Sequence, residues 1–132
     1  KKDIPAFKNF DTIINDNYYL QSYCIWFGFN KISTFHQDAS DNFLYLASGE
    51  KKIFMIDSKY HRNYYDYLKY VDLKNNKHIN DPKFKNINLY YCDLNQGETL
   101  FIPFLWWHYV ITPERAIGIN YWFNSMTIPK YY

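Results

Sequence analysis

The sequence predicts an all-β domain with minor helix, built as an antiparallel sandwich or small barrel. Three observations lead there. About seven or eight short runs of aromatic and β-branched residues are separated by turn residues, and such side chains pack well on a pleated, half-buried surface. The 132 residues suffice for one domain around one core. No motif repeats at a fixed period and glycine is scarce at four residues, which argues against propellers, solenoids and collagen.

In chain order, Tyr19 to Trp26 (YLQSYCIW) is strand-like, and Gly28 to Lys31 reads as a turn before a short segment around His36. Asn42 to Ser48 alternates as a strand. Gly49 and Glu50 make a turn, and Lys51 to Ile56 forms its partner, so the pair reads as a hairpin. Lys59 to Tyr70 is polar and aromatic with scope for a short helix. Asp72 to Asn88, rich in Asn, Lys and Asp, reads as a long surface excursion outside the core. Strand character returns at Asn88 to Leu94, breaks at Asn95-Gln96-Gly97, and resumes over Thr99 to Ile102 before Pro103. Gly97 and Pro103 are structural punctuation. The last two strands lie near His108 to Ile111 and Ala116 to Phe123.

Hydrophobic residues at 48% and charged residues at 21% place the chain away from the disordered regime. No run of eighteen apolar residues occurs, so a membrane span is not expected. The net charge of +2 supplies no electrostatic reason for a phosphate backbone to be the main partner. Aromatics reach 23%, but together with abundant Asn, Lys and Ile this is the mixture that A/T-biased codons produce, so it carries no functional weight alone. Cys24 and Cys92 lack Cys-x-x-Cys spacing and read best as buried free thiols in a reducing compartment, cytoplasmic or nuclear, with a single disulfide as the alternative. The opening Lys1-Lys2-Asp3 reads as the start of a piece of a longer protein.

The chemistry-bearing residues gather in few places. His36 and Asp38 are two apart, so on extended backbone both project from one face and can hold one metal ion. A third ligand must come from elsewhere, and His108, inside LWWHYV, is the candidate. Two imidazoles and a carboxylate on one side of an ion leave the opposite positions open, an arrangement suited to non-haem Fe(II). His61 and His78 lie in the polar excursion without a partner at ligand spacing and read as exposed.

Several motifs in order resemble one family. They are WFG at Trp26 to Gly28, HQD at His36 to Asp38, Asn42 six residues after the histidine, and GEK at Gly49 to Lys51. NQGETLFIPFLWWH at Asn95 to His108 and INYWF ending at Phe123 complete the set. From about Asp3 to Phe123 the chain resembles the JmjC-type, or cupin-like, Fe(II)- and 2-oxoglutarate-dependent hydroxylases, in the branch that contains an asparaginyl hydroxylase.

The resemblance implies a double-stranded β-helix, the jelly-roll barrel of the cupins. It implies His36, Asp38 and His108 as iron ligands, Lys51 as the cation that pairs with the distal carboxylate of 2-oxoglutarate, and Asn42 and Asn120 lining the cosubstrate pocket. Lys52 fits a solvated turn lysine. Family members carry a threonine just before the first metal histidine; here the segment from Gly28 is one residue short and lacks the usual proline, so Ser33 or Thr34 supplies the hydroxyl. Counting back from His36 favours Ser33, and residue type favours Thr34. Trp107 and Trp122 are expected to pack the barrel.

The implied activity is hydroxylation by dioxygen, with Fe(II) as cofactor and 2-oxoglutarate as cosubstrate. The interval of fifteen residues from His36 to Lys51 resembles the small hydroxylases more than the histone demethylases, so a protein side chain is the first expectation for the substrate. An RNA (tRNA) hydroxylase, a histone demethylase and a non-catalytic cupin-fold binding module are the alternatives. Residues 1–132 are expected to form a single JmjC/cupin-like domain, a fragment of a longer chain lacking flanking helices.

Overall fold

A computed structural model describes residues 18–74, 78 and 81–125. Among these, the strands are β1 (Tyr18–Gly28), β2 (Lys31–Gln37), β3 (Asp41–Ser48), β4 (Glu50–Ile56), β5 (Leu89–Asn95), β6 (Thr99–Ile102), β7 (Trp107–Thr112) and β8 (Ala116–Ser125). Between β4 and β5 run a 3₁₀ turn (Ser58–Tyr60), helix α1 (His61–Leu68) and the short helix α2 (Pro82–Lys85). Pro82 at the start of α2 loses no helical bond, and the Asp81 side chain accepts from the Lys83 N–H as its cap.

The strands form two antiparallel sheets of four, ordered β1-β8-β3-β6 and β2-β7-β4-β5. Every connection crosses from one sheet to the other except β4 to β5, which carries the helical excursion. That alternation makes the double-stranded β-helix. It also corrects the expected hairpin, because β3 pairs with β6 and β8 whereas β4 pairs with β5 and β7. The turn at Gly49 is a sheet-to-sheet crossover. Gly49 has φ +82°, and a Cβ there would lie 2.3 Å from the Arg115 carbonyl oxygen, so only glycine lets the chain cross so close to the start of β8.

Alternation sorts the side chains into three apolar layers. Leu44, Leu46, Ile53, Met55, Leu94 and Ile102 meet between the sheets. Tyr45, Tyr121 and Phe123 pack on the outer face of the first sheet. Phe35, Ile56, Trp107 and Tyr109, on the outer face of the second, pack against Leu68, Val71, Phe84 and Ile87. The excursion expected to be surface therefore closes a core of its own. Its apolar residues are widely spaced among Asn, Lys and Asp, which hides the buried face from a periodicity argument. His78 is half-buried, its ring 6.1 Å from that of Tyr67, in contrast to the exposure expected; the side chain of His61 lies outside the described residues. Cys24 and Cys92 are free and half-buried, less enclosed than expected.

Candidate active site

Strand register brings the two histidines together. His36 on β2 lies directly opposite His108 on β7, after a bulge in which Thr34 and Phe35 face the single residue Tyr109. The bulge turns Phe35 outward into the helical layer while His36 faces the barrel. Asp38 follows at the end of β2, its backbone carbonyl accepting from the Leu105 N–H at 3.0 Å. The Phe104 N–H donates to Asp41 Oδ1 at 2.7 Å, which pins the same loop from the start of β3.

The ligand atoms of His36, Asp38 and His108 all lie within 4.8 Å of one another, a spacing that can hold a metal ion. Each imidazole is oriented by its own strand. His36 Nδ1–H donates to the Thr34 carbonyl at 2.8 Å and His108 Nδ1–H to that of Trp106 at 3.1 Å, which leaves each Nε2 as the lone-pair donor. Asp38 Oδ2 lies 3.7 Å from His108 Nε2. It accepts from Asn42 Nδ2 at 2.9 Å and from Trp122 Nε1 at 2.8 Å. Asn42 is fixed in turn by Asn120, whose Nδ2 donates to its Oδ1 at 2.8 Å. The two buried asparagines thus form a relay from β8 through β3 to the carboxylate. Trp122, expected to pack the barrel, also braces Asp38. The period of two along β8 already put residues 120 and 122 on one face.

Burial pushes the His108 imidazole down to about 4, helped by the neighbouring His36 and opposed by Asp38. A neutral ring is the form that binds a metal. His108 is buried and Asp38 half-buried, while His36 is exposed, so the cluster opens on the β2 side.

Deeper along β4, Lys51 is 7% exposed and its burial lowers the pKa. Its Nζ donates to Thr112 Oγ1 at 2.9 Å. Gly118 leaves the space this chain needs: a Cβ there would sit 3.2 Å from Lys51 Cε. Lys52, next along the strand, is exposed. Thr112 was not singled out in the sequence, although counting by twos from His108 places it on the same face. Ser33 pairs with Val110, which packs in the barrel interior, so its side chain shares that face, whereas Thr34 sits in the bulge; both are exposed. Trp107 is buried in the outer layer, its ring 5.5 Å from that of Tyr65.

The chain matches the family described as "Cupin-like domain" over residues 2–127. It is 35% identical over 123 residues to JmjC domain-containing protein C of Dictyostelium discoideum, covering 77% of this chain and 28% of that protein. Identity is 31% over 114 residues to Lysine-specific demethylase JMJ30 of Arabidopsis thaliana, covering 80% and 27%. With human tRNA wybutosine-synthesizing protein 5 it is 33% over 96 residues, covering 69% and 30%. The chain therefore spans less than a third of the length of these relatives. A solved structure of YcfD, a ribosomal oxygenase from Escherichia coli, superposes with a TM-score of 0.55 at 18% identity, over 80% of this chain and 23% of that one, and so shares the fold. By sequence match and by barrel, the chain belongs to the cupin-like domain family, among its JmjC-type members.

Proposed function

We propose that this chain is an Fe(II)- and 2-oxoglutarate-dependent dioxygenase that hydroxylates a protein side chain. The observation that carries the proposal is the braced His36–Asp38–His108 cluster in the same barrel as a buried lysine whose described partner, Thr112, is neutral. The residues fit the group: two imidazoles and one carboxylate suit Fe(II), and a desolvated ammonium gains from an incoming carboxylate. When bound, Fe(II) and 2-oxoglutarate supply the oxidising power that puts one atom of dioxygen into a C–H bond and leaves succinate and carbon dioxide.

The chain's own residues hold and position. His36 and His108 would hold the metal through Nε2 and Asp38 through its carboxylate, kept in orientation by Asn42, Asn120 and Trp122. Lys51 and Thr112 would take the distal carboxylate of the cosubstrate. Ser33, on the interior face, is the better-placed second hydroxyl than Thr34. The interval from His36 to Lys51 supports a protein substrate. The similarity to a protein named for tRNA wybutosine synthesis makes RNA the second reading. Half-buried free thiols suit a reducing compartment, cytoplasm or nucleus. We also take residues 1–132 as one domain of a longer protein.

The test is succinate production from 2-oxoglutarate with added Fe(II). Wild-type protein should turn over, and His36→Ala, Asp38→Ala and His108→Ala should each lose the activity while staying folded. Retained activity in all three would discard the metal assignment, and a wild type that binds neither iron nor 2-oxoglutarate would leave a binding module.

A further inference from the structure

A cavity of about 340 Å³ opens beside the candidate metal cluster, lined by Phe35, His36, Leu105 and Trp107 and, from the excursion, by Tyr65 and Lys69. His36 belongs to both, so whatever fills the cavity touches the edge of the reaction centre. Lys69 is the only Lys, Arg, Asp or Glu among the lining residues. Charge in this chain is unevenly placed. Residues 57–88 hold seven Lys and Arg against four Asp, a balance of +3 in a molecule whose total is +2.

Resting on the dioxygenase reading, we infer that this cavity is the substrate's specificity pocket. It receives an acidic side chain of an extended polypeptide, close in sequence to the residue to be hydroxylated, and Lys69 reads it.

Three features favour a polypeptide over a nucleic acid. Lys69 Nζ lies 3.8 Å above the Tyr65 ring, and the same ring meets Trp107 at 5.5 Å, so the aromatic surface a nucleobase would stack on is already engaged. The cavity holds a side chain or two, short of the run of stacked bases that single-stranded binding uses. Finally, β2 is an edge strand, hydrogen-bonded among the described residues to β7 alone, and its residues 35 and 36 line the cavity. An extended chain laid along such an edge presents alternate side chains to one face at about 6.5 Å intervals. Because His36 lies at the border of cavity and cluster, the acidic residue falls about two or three positions from the reacting one.

The probe is a library of nine-residue peptides with blocked ends, one position at a time fixed as Asp, Asn, Lys or Leu. Binding is measured under nitrogen with Fe(II) and 2-oxoglutarate present. At one position Asp should be preferred to Asn by about two- to fivefold, the size of one exposed ion pair. Lys69→Arg should keep that preference, and Lys69→Glu should move it to Lys. A flat library, or a preference that Lys69→Glu leaves unchanged, overturns the inference. So does a nine-nucleotide oligoribonucleotide that binds wild type but not Lys69→Glu while the peptides show no preference. Succinate production separates the two levels. Turnover with a flat library sinks the pocket alone, whereas an acidic preference that Lys69→Glu reverses, without turnover, sinks the dioxygenase and leaves the pocket.

Discussion

Lys51 is held in the barrel against its own desolvation, with one neutral hydroxyl as described partner. In the cosubstrate-free protein this charge works against folding. A lysine whose folded pKa lies below its unfolded value destabilises at every pH where the unfolded chain is protonated. Lys51→Met should therefore leave stability to denaturant unchanged or raise it by up to about 1 kcal/mol, while the 2-oxoglutarate requirement rises about a hundredfold or more, since stripping a partner from a buried carboxylate costs about 3–5 kcal/mol. Lys52→Met should alter neither; equal effects from both would mean that Lys51 is not the cosubstrate cation. Trp122→Phe removes one of the two donors to Asp38 Oδ2 with little change of shape. Iron affinity should fall about tenfold, the lower range for loss of a group that orients a ligand, with folding retained. His108 gives a pH signature. Its pKa is about 4 in the fold against 6.5 unfolded, so as pH falls from 6.5 towards 4 the unfolded chain takes up a proton that the folded one refuses. Metal-free protein should lose stability across that window, and His108→Asn should flatten the loss; an identical slope in the variant would assign it to other groups.

Among the connecting elements, the two left-handed glycines make a controlled comparison. Both have positive φ, +82° at Gly49 and +88° at Gly97. A Cβ at Gly97 would meet nothing within 4 Å, whereas at Gly49 it would lie 2.3 Å from a backbone oxygen and 2.9 Å from Ala116. Gly97→Ala should cost about 1–2 kcal/mol, the strain of the left-handed conformation alone. Gly49→Ala should cost clearly more, because the crossover would have to move away from β8. Denaturant midpoints of the two variants decide it, and equal costs would show that the approach to Arg115 relaxes freely. A glycine and a polar residue between two apolar runs are equally compatible with a hairpin and with a crossover. Which one forms depends on the partners each strand finds far along the chain.

For the molecule as a whole, the excursion between β4 and β5 is a second apolar layer that seals the outer face of one sheet. Phe84, 7% exposed, fixes α2 against it together with Leu68 and Val71. Phe84→Ala should cost about 3–4 kcal/mol as a large-to-small change in a packed cluster. A loss below about 1 kcal/mol in urea unfolding would show the excursion to be only loosely attached.

Local pattern determined much of this protein. The His36-x-Asp38 pairing is legible because a strand's period of two assigns a face without knowledge of its neighbours, whereas Lys51 and its role were legible only through the order of motifs that resembles a family. Tertiary structure decided what that period leaves out: which sheet each strand joins, and who meets whom across it. The bulge at Thr34 and Phe35 sets His36 opposite His108 and gives Ser33 the interior face. Pairing of β3 with β8 stacks Asn120, Asn42 and Asp38 into one relay and brings Trp122 to the same carboxylate. Those contacts join residues up to 84 positions apart, and their partners are chosen by the register of whole strands, which no window of sequence contains.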